Sequence, residues 1–283
     1  MPPSDMTLDA LRREIDEIDD ALHDLLMRRA AVSDRVRAAK QGGSALVFRP
    51  GREAAIIRRL VARHGGALPA DAVVQVWREI IAASIRLQAP FRVAVYTPSG
   101  APHALDLARG HFGVLTPLLP MGSVGAVLSA LAEGNAQVAL LPLPEETPSE
   151  PWWRGFATGA PGEALHIVAR LPFAATSLQP AALVVGRQPF EPTGEDRGYL
   201  VVETDHEISR ARLGQTLSAS GVRPLGIPAQ VGRAFLIETE DHVGAGDPRL
   251  VALAEQGADG IVAVRSIGGY AVPLLLDAGR TQK

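Results

Sequence analysis

Lys40 is the only lysine ahead of the C-terminal Lys283 in a chain that otherwise carries its positive charge as arginine. A surface that needs only charge accepts either residue, whereas a site that needs a compact ammonium cannot use a planar fork. The neighbouring pattern supplies a context. Leu8, Leu11, Ile15, Ile18, Leu22 and Leu25 alternate three and four residues apart, the seam of a helix packed against other helices. The next seam position is Arg29, and Val32 and Val36 then resume the repeat. From Leu8 to Lys40 there is no Pro or Gly, so one helix of roughly 50 Å is expected, too charged to span a membrane. A second helix is expected from Pro50, a residue suited to a first turn, through Ile56, Ile57, Leu60 and Val61, with Arg52 and Glu53 at its start. A third presents Val73, Trp77, Ile80 and Ile81, and the same stripe continues to Ser84 and Gln88.

Arg29, Ser84 and Gln88 thus fall on seams, with Lys40, Arg52 and Glu53 nearby. Such groups are costly to bury unpaired. One reading makes them register-fixing polar residues. The excess of positive charge, with only Glu53 as an obvious counter-charge, favours a site that receives an anion. The chain has no Cys, no seam histidine and no carboxylate pair placed for acid–base work; His23 and His64 read as solvated. A cationic pocket without a proton shuttle suits an intramolecular rearrangement of a small polyanion, accelerated by orientation and by donors aimed at developing charge.

The segments LDALRREIDEIDDALHDLLMRRAAVSDRVRAAK, RPGRE and VWREIIAASIRLQ resemble the all-helical class of chorismate mutases over nearly all of residues 1–90. The resemblance implies a dimer of three-helix protomers with two interlocked sites. Arg12 from the partner, Arg29 and Ser84 would then hold the two carboxylates of chorismate, with Arg52 in support. Glu53 would accept a hydrogen bond from the ring hydroxyl, and Lys40 and Gln88 would donate to the ether oxygen as its bond to the ring breaks. Arg49 stands where some members carry an Asp near that hydroxyl. The same fold also serves isochorismate-pyruvate lyase, from which these residues separate the mutase poorly.

The length of 283 residues suits two or three domains, and the formal charge of −3 is uneven. Residues 1–90 carry 14 Lys+Arg against 12 Asp+Glu, and the remainder carries 14 against 19. Neither part is basic enough to suggest nucleic acid. The polar start MPPSDMTLDA has no apolar signal region, and no stretch approaches the ~20 apolar residues of a membrane span. A cytoplasmic enzyme without metal or cofactor is the expectation.

Near Ala89, Pro90 and Phe91 the periodicity turns strand-like. Strands are expected at 93–96, 114–119, 138–141, 166–170 and 182–185, with helices at 103–109 and 124–133, an α/β unit spanning 91–192. PEETPSEPWW and GFATGAPGEA read as loop, with Trp152 and Trp153 as core or interface aromatics ahead of a ligand platform. A last unit, 193–283, reads strand 199–204, helix 209–219 capped by Ser209, strands 222–227 and 234–239, helix 248–256 and strand 261–265. This βαββαβ order resembles an ACT domain. Gly244-Ala245-Gly246 and Gly268-Gly269 read as turns.

The whole order resembles the bifunctional chorismate mutase-prephenate dehydratases, with gaps. Where those enzymes carry Gly-Pro-x-Gly-Thr, Pro-Ile-Glu-Asn-Ser and Thr-Arg-Phe, this chain has Thr97-Pro98-Ser99-Gly100-Ala101, Pro142-Leu143-Pro144-Glu145-Glu146 and Pro180-Ala181-Ala182. The middle region is also short for two lobes, and the patterns associated with phenylalanine binding are missing, so an amino-acid effector is left unsupported. The expectation is a multidomain homodimer: a helical mutase at 1–90, a degenerate dehydratase-like region at 91–192 and an ACT-like domain at 193–283 that stabilises or regulates it. The alternatives are an active bifunctional enzyme with drifted motifs and a non-catalytic scaffold that dimerises through a mutase-like bundle.

Overall fold

A run from Leu8 to Ala39 with neither Pro nor Gly gives a single 32-residue helix, α1 (Leu8–Ala39). The computed structural model describes residues 7–39, 47–98, 103–148, 150–156, 158 and 163–277. Lys40, Ser99-Gly100-Ala101 and most of 157–162 lie outside the described residues. Two amphipathic helices follow, α2 (Pro50–Arg63), with Pro at its start, and α3 (Ala70–Gln88). No helix among the described residues is long and apolar enough to cross a membrane.

Among the described residues, α1 has no cover along its stripe from Leu8 to Leu25. Leu8, Ile15, Ile18, Leu22 and Leu25 are each more than half exposed, Leu8 at 62% and Leu25 at 60%. α3 is buried along Val74, Arg78, Ile81, Ala82 and Ile85, where Ile81 and Ile85 share a core with strands of the following region. Its Trp77–Ile80–Ser84–Gln88 row is half-buried.

Beyond Phe91 the chain alternates between strand and helix: β1 (Val93–Tyr96), α4 (His103–Phe112), β2 (Leu118–Met121), α5 (Val124–Ala132) and β3 (Val138–Pro142). β1 lies parallel between β2 and β3. A 3₁₀ turn at Trp152–Gly155 buries Trp152 and Trp153 in the core, as core aromatics rather than exposed rings. β4 (His166–Leu171), the short β5 (Ala174–Ala175) and β6 (Ala182–Gly186) follow, and β6 runs antiparallel between β3 and β4.

The remaining elements are β7 (Asp196–Thr204), α6 (Arg210–Ala219), β8 (Pro224–Val231), β9 (Ala234–Thr239), α7 (Pro248–Gln256), β10 (Ile261–Ala271) and β11 (Leu274–Leu275). Ser209 caps α6 as expected, its side chain accepting from Arg212 N. β7 to β10 form the antiparallel order β10-β7-β9-β8 of a split βαβ motif. One nine-stranded sheet, β2-β1-β3-β6-β4-β10-β7-β9-β8, runs through both parts.

Two expectations need correction. Val114 and Leu115 are not in a strand; Gly113 at φ +82° ends α4, and the pair lies 65% and 72% exposed before β2 begins at Leu118. Nor do Gly268 and Gly269 make a turn: both lie inside β10, where Gly268 pairs with Ile167 and joins the two parts of the sheet. A Cβ on Gly268, at φ +107°, would stand 2.1 Å from Ile167 O. Only glycine permits that approach. Gly268→Ala should therefore cost at least about 2 kcal/mol in urea unfolding, whereas Gly246→Ala, whose Cβ would meet nothing within 4 Å, should be nearly neutral.

Candidate functional site

The half-buried row of α3 meets α1 at Arg29. Arg29 Nη1 donates to Ser84 Oγ at 2.5 Å, Ser84 Oγ donates to Ile80 O at 2.8 Å, and Gln88 Nε2 donates to Ser84 O at 2.9 Å. Ser33 Oγ closes the turn by donating to Arg29 O at 3.3 Å. Burial lowers the pKa of the Arg29 guanidinium from its ordinary value, as expected for a cation withdrawn from water. The structure therefore brings Arg29, Ser84 and Gln88 together.

The other expected residues stand elsewhere. Arg12 is exposed and pairs with Asp9 at 3.3 Å; it lies about 25 Å along the helix from Arg29. Arg52 is exposed at the start of α2 while Glu53 beside it is buried, since successive helical residues point about 100° apart. Glu53 faces away from solvent and accepts from Arg78 Nη1 at 2.9 Å, the two side chains being 7% and 4% exposed. Lys40 lies outside the described residues.

Arg78 and His111 are the residues that the sequence reading passed over. Arg78 occupies an apolar stripe of α3 between Val74 and Ile81, the same signal that singles out Arg29, but on a second face. His111, on α4, places Nε2 3.7 Å from Glu53 Oε2 and stacks edge-on against Phe112. Its pKa is held well below the ordinary value by burial and by Arg78, so the ring is neutral. Burial pushes the Glu53 carboxyl up to about 7, outweighing the pull of Arg78.

Polar contacts from both helices hold this face onto the sheet. Arg58 donates to Thr193 Oγ1 at 2.7 Å and Glu195 O at 2.8 Å, Arg49 pairs with Glu191 at 3.0 Å, and Glu79 accepts from Val114 N at 3.1 Å. Phe48, Phe91 and Phe112 pack together with centroids 5.5–5.9 Å apart.

At the carboxyl ends of the parallel strands, α5 begins with a backbone N–H that already has an acceptor: Val124 N donates to Glu150 Oε2 at 3.2 Å. The hollow there, beside Tyr96, Pro142, Glu145 and Trp152, holds about 70 Å³.

The bundle and its seam cluster define a helical domain suited to handling a small anion, joined to an α/β sheet. Residues 11–89 match the family model of chorismate mutase type II, and the chain carries a domain of that family. The bifunctional chorismate mutase/prephenate dehydratase of Pseudomonas aeruginosa is 29% identical over 145 residues, 50% of this chain and 40% of that protein. Its counterpart in Aquifex aeolicus is 29% identical over 140 residues, 48% of this chain and 38% of that protein. The matches thus take in about two fifths of each relative. They cover more of this chain than residues 11–89 account for, so the likeness runs on into a prephenate dehydratase-like region. The solved prephenate dehydratase from Streptococcus mutans aligns with a TM-score of 0.44 at 20% identity, covering 65% of this chain and 100% of that one.

The Glu53 shift sets a sign for stability. The folded carboxyl, at about 7, keeps a proton that the unfolded one, near 4.5, releases. Its contribution is full below 4.5 and is lost as pH rises towards 7. The stability of the wild type relative to Glu53→Gln should therefore fall across that window in urea titrations. A flat difference would show that Glu53 stays ionised.

Proposed function

We propose that the chain is a chorismate mutase, converting chorismate to prephenate by an intramolecular rearrangement in phenylalanine and tyrosine biosynthesis, within the cytoplasm. The observation that carries this reading is the Arg29–Ser84–Gln88 cluster at the α1–α3 seam, within a region that matches the mutase family model. The reaction breaks an ether C–O bond and forms a C–C bond within one molecule, so no group need carry a proton. Guanidinium groups hold the substrate carboxylates in the reactive conformer, and donors at the ether oxygen stabilise the charge that develops there. In this reading Arg29 and Ser84 hold carboxylates, with Arg52 in support, and Lys40 and Gln88 face the ether oxygen. Glu53 would meet the ring hydroxyl only by leaving Arg78.

The same reading makes the protein a homodimer in which Arg12 of each protomer serves the other's site. Arg12 stands too far along α1 to reach Arg29 in its own chain, and the uncovered seam of α1 is an apolar stripe suited to a second copy. We retain 1–90, 91–192 and 193–283 as the domain division, with the last unit ACT-like and without an assigned effector.

Dehydratase activity is not part of the proposal. The hollow that the described residues form at the strand ends, about 70 Å³, falls short of the roughly 300–1,000 Å³ of small-molecule sites. Glu150 already takes the N-terminus of α5, where an anion would otherwise bind, and Pro180-Ala181-Ala182 supplies neither hydroxyl nor guanidinium. The region is instead expected to stabilise the bundle it grips.

Purified full-length protein supplied with chorismate should accumulate prephenate and form no phenylpyruvate. Lys40→Ala should lower kcat at least ~10²-fold, the scale for one lost donor to a developing oxyanion, and Lys40→Arg should recover little of it. Near-normal turnover by either variant would remove Lys40 from the mechanism, and no turnover by the wild type would leave the bundle as a non-catalytic dimeriser.

Mixing Arg12→Ala with Lys40→Ala protein should restore activity to roughly a quarter of wild type, the share of intact sites in a random mixture of two-fold dimers. If exchanged heterodimers stay inactive, each site is built within one protomer.

A further inference from the structure

On the outer face of α3, against α4 and residues 172–176, lies a cavity of about 430 Å³, within the range of small-molecule sites. It is separate from the Arg29 cluster, which occupies the other face of α3. Arg78, only 4% exposed, lines this cavity. One of its nitrogens donates to Glu53, and the guanidinium lies 5.8 Å from the Phe173 ring centroid. Among the described residues its other N–H groups have no acceptor. A buried planar fork with spare donors matches a carboxylate. Val74, Leu107 and Phe173 give the cavity apolar walls.

We propose that this cavity binds a small monocarboxylate with an apolar or aromatic body, its carboxylate seated on the open edge of Arg78. Asp71 and Asp106 line the cavity as well, and their charge disfavours a dianion, which separates this ligand class from the substrate proposed for the bundle. The site stands whether or not the bundle rearranges chorismate.

Charge balance gives the site a pH dependence. Arg78 already faces one carboxylate, and a second at the same guanidinium would leave a buried negative charge uncompensated. Glu53 is the group able to relieve it by taking up a proton, since its carboxyl is already pushed up to about 7. The groups facing Glu53 are Arg78 from α3 and His111 from α4, and the latter is held neutral. Arg170 of β4 lines a small hollow that it shares with Arg78 and His111, and His103 lines the main cavity. Ligand entry is therefore accompanied by proton uptake, and binding weakens as pH rises.

The test is calorimetry of the full chain with 3-phenylpropionate, in buffers of differing ionisation enthalpy, at about pH 6 and about pH 8. Saturable binding is expected, with little proton uptake at about pH 6, uptake approaching one proton at about pH 8, and an affinity that falls towards tenfold per pH unit above ~7. 3-Phenylpropanamide and 3-phenylpropylamine, which lack the carboxylate, should not bind. Arg78→Met should abolish binding but risks the fold, so Gly110→Leu provides the second variant. Gly110 lines the cavity, and a Cβ there meets nothing within 4 Å. Leu fills the space and favours the helix over Gly, so binding should vanish while the Tm holds or rises. Lack of saturable binding at the lower pH, binding that survives Gly110→Leu, or binding at about pH 8 without proton uptake would each overturn the proposal.

Discussion

The buried hydrogen bond from Arg78 to Glu53 sets how the helical domain sits on the sheet. Both side chains are buried, with His111 of α4 against them, and removing one partner of such a pair costs on the order of 3–5 kcal/mol. The pair crosses from α2 to α3 and meets the α/β region at the same point, so it fixes which face of each helix turns inward. Once Arg78 is committed to that side, helical geometry leaves the Ile80–Ser84–Gln88 row for α1. The mutase-like cluster and the docking surface are two faces of one helix, and neither can rotate without the other.

That arrangement leaves α1 as the least supported element of the protomer. Its C-terminal part meets α3 through Arg29, while five large apolar residues between Leu8 and Leu25 remain more than half exposed. Fully burying a Leu or Ile contributes about 1.5–3 kcal/mol, so covering this stripe is worth more than any single polar contact in the bundle. The dimer of the proposed function would cover the stripe and deliver Arg12 by the same contact, making assembly and site completion one event.

Much of this was legible in the residues. The α1 stripe, Pro50 at the start of α2, and Ser84 and Gln88 on one row all follow from helical spacing, and most strands and helices of the α/β region lie within a few residues of where alternation puts them. The exceptions have physical causes. The burial of Glu53 against Arg78 is not in its spacing, which says nothing about which face of α2 a later region will cover. Arg78 and His111 acquire their meaning only from each other, across 33 positions of sequence. Gly268 and Gly269 look like a turn because two glycines signal conformational freedom, and only the approach of Ile167 shows that the freedom is used to pass one strand tightly beside another.

The glycine junction also bears on why the region after the bundle keeps its order. A sheet that continues from β4 into β10 through one position tolerates no side chain there, and Thr204, Thr239 and Ser266 remain buried among its apolar residues. Those are demands of folding. Among the described residues, the strand ends present Glu145 and Glu150 and a hollow of about 70 Å³. Tight packing at this junction gives the α/β region its grip on α2 and α3. Arg58, Arg49 and Glu79 supply that grip from the helical side, so loosening the sheet would loosen the bundle face that holds Arg78, and with it the orientation of Ser84 and Gln88 on the opposite row.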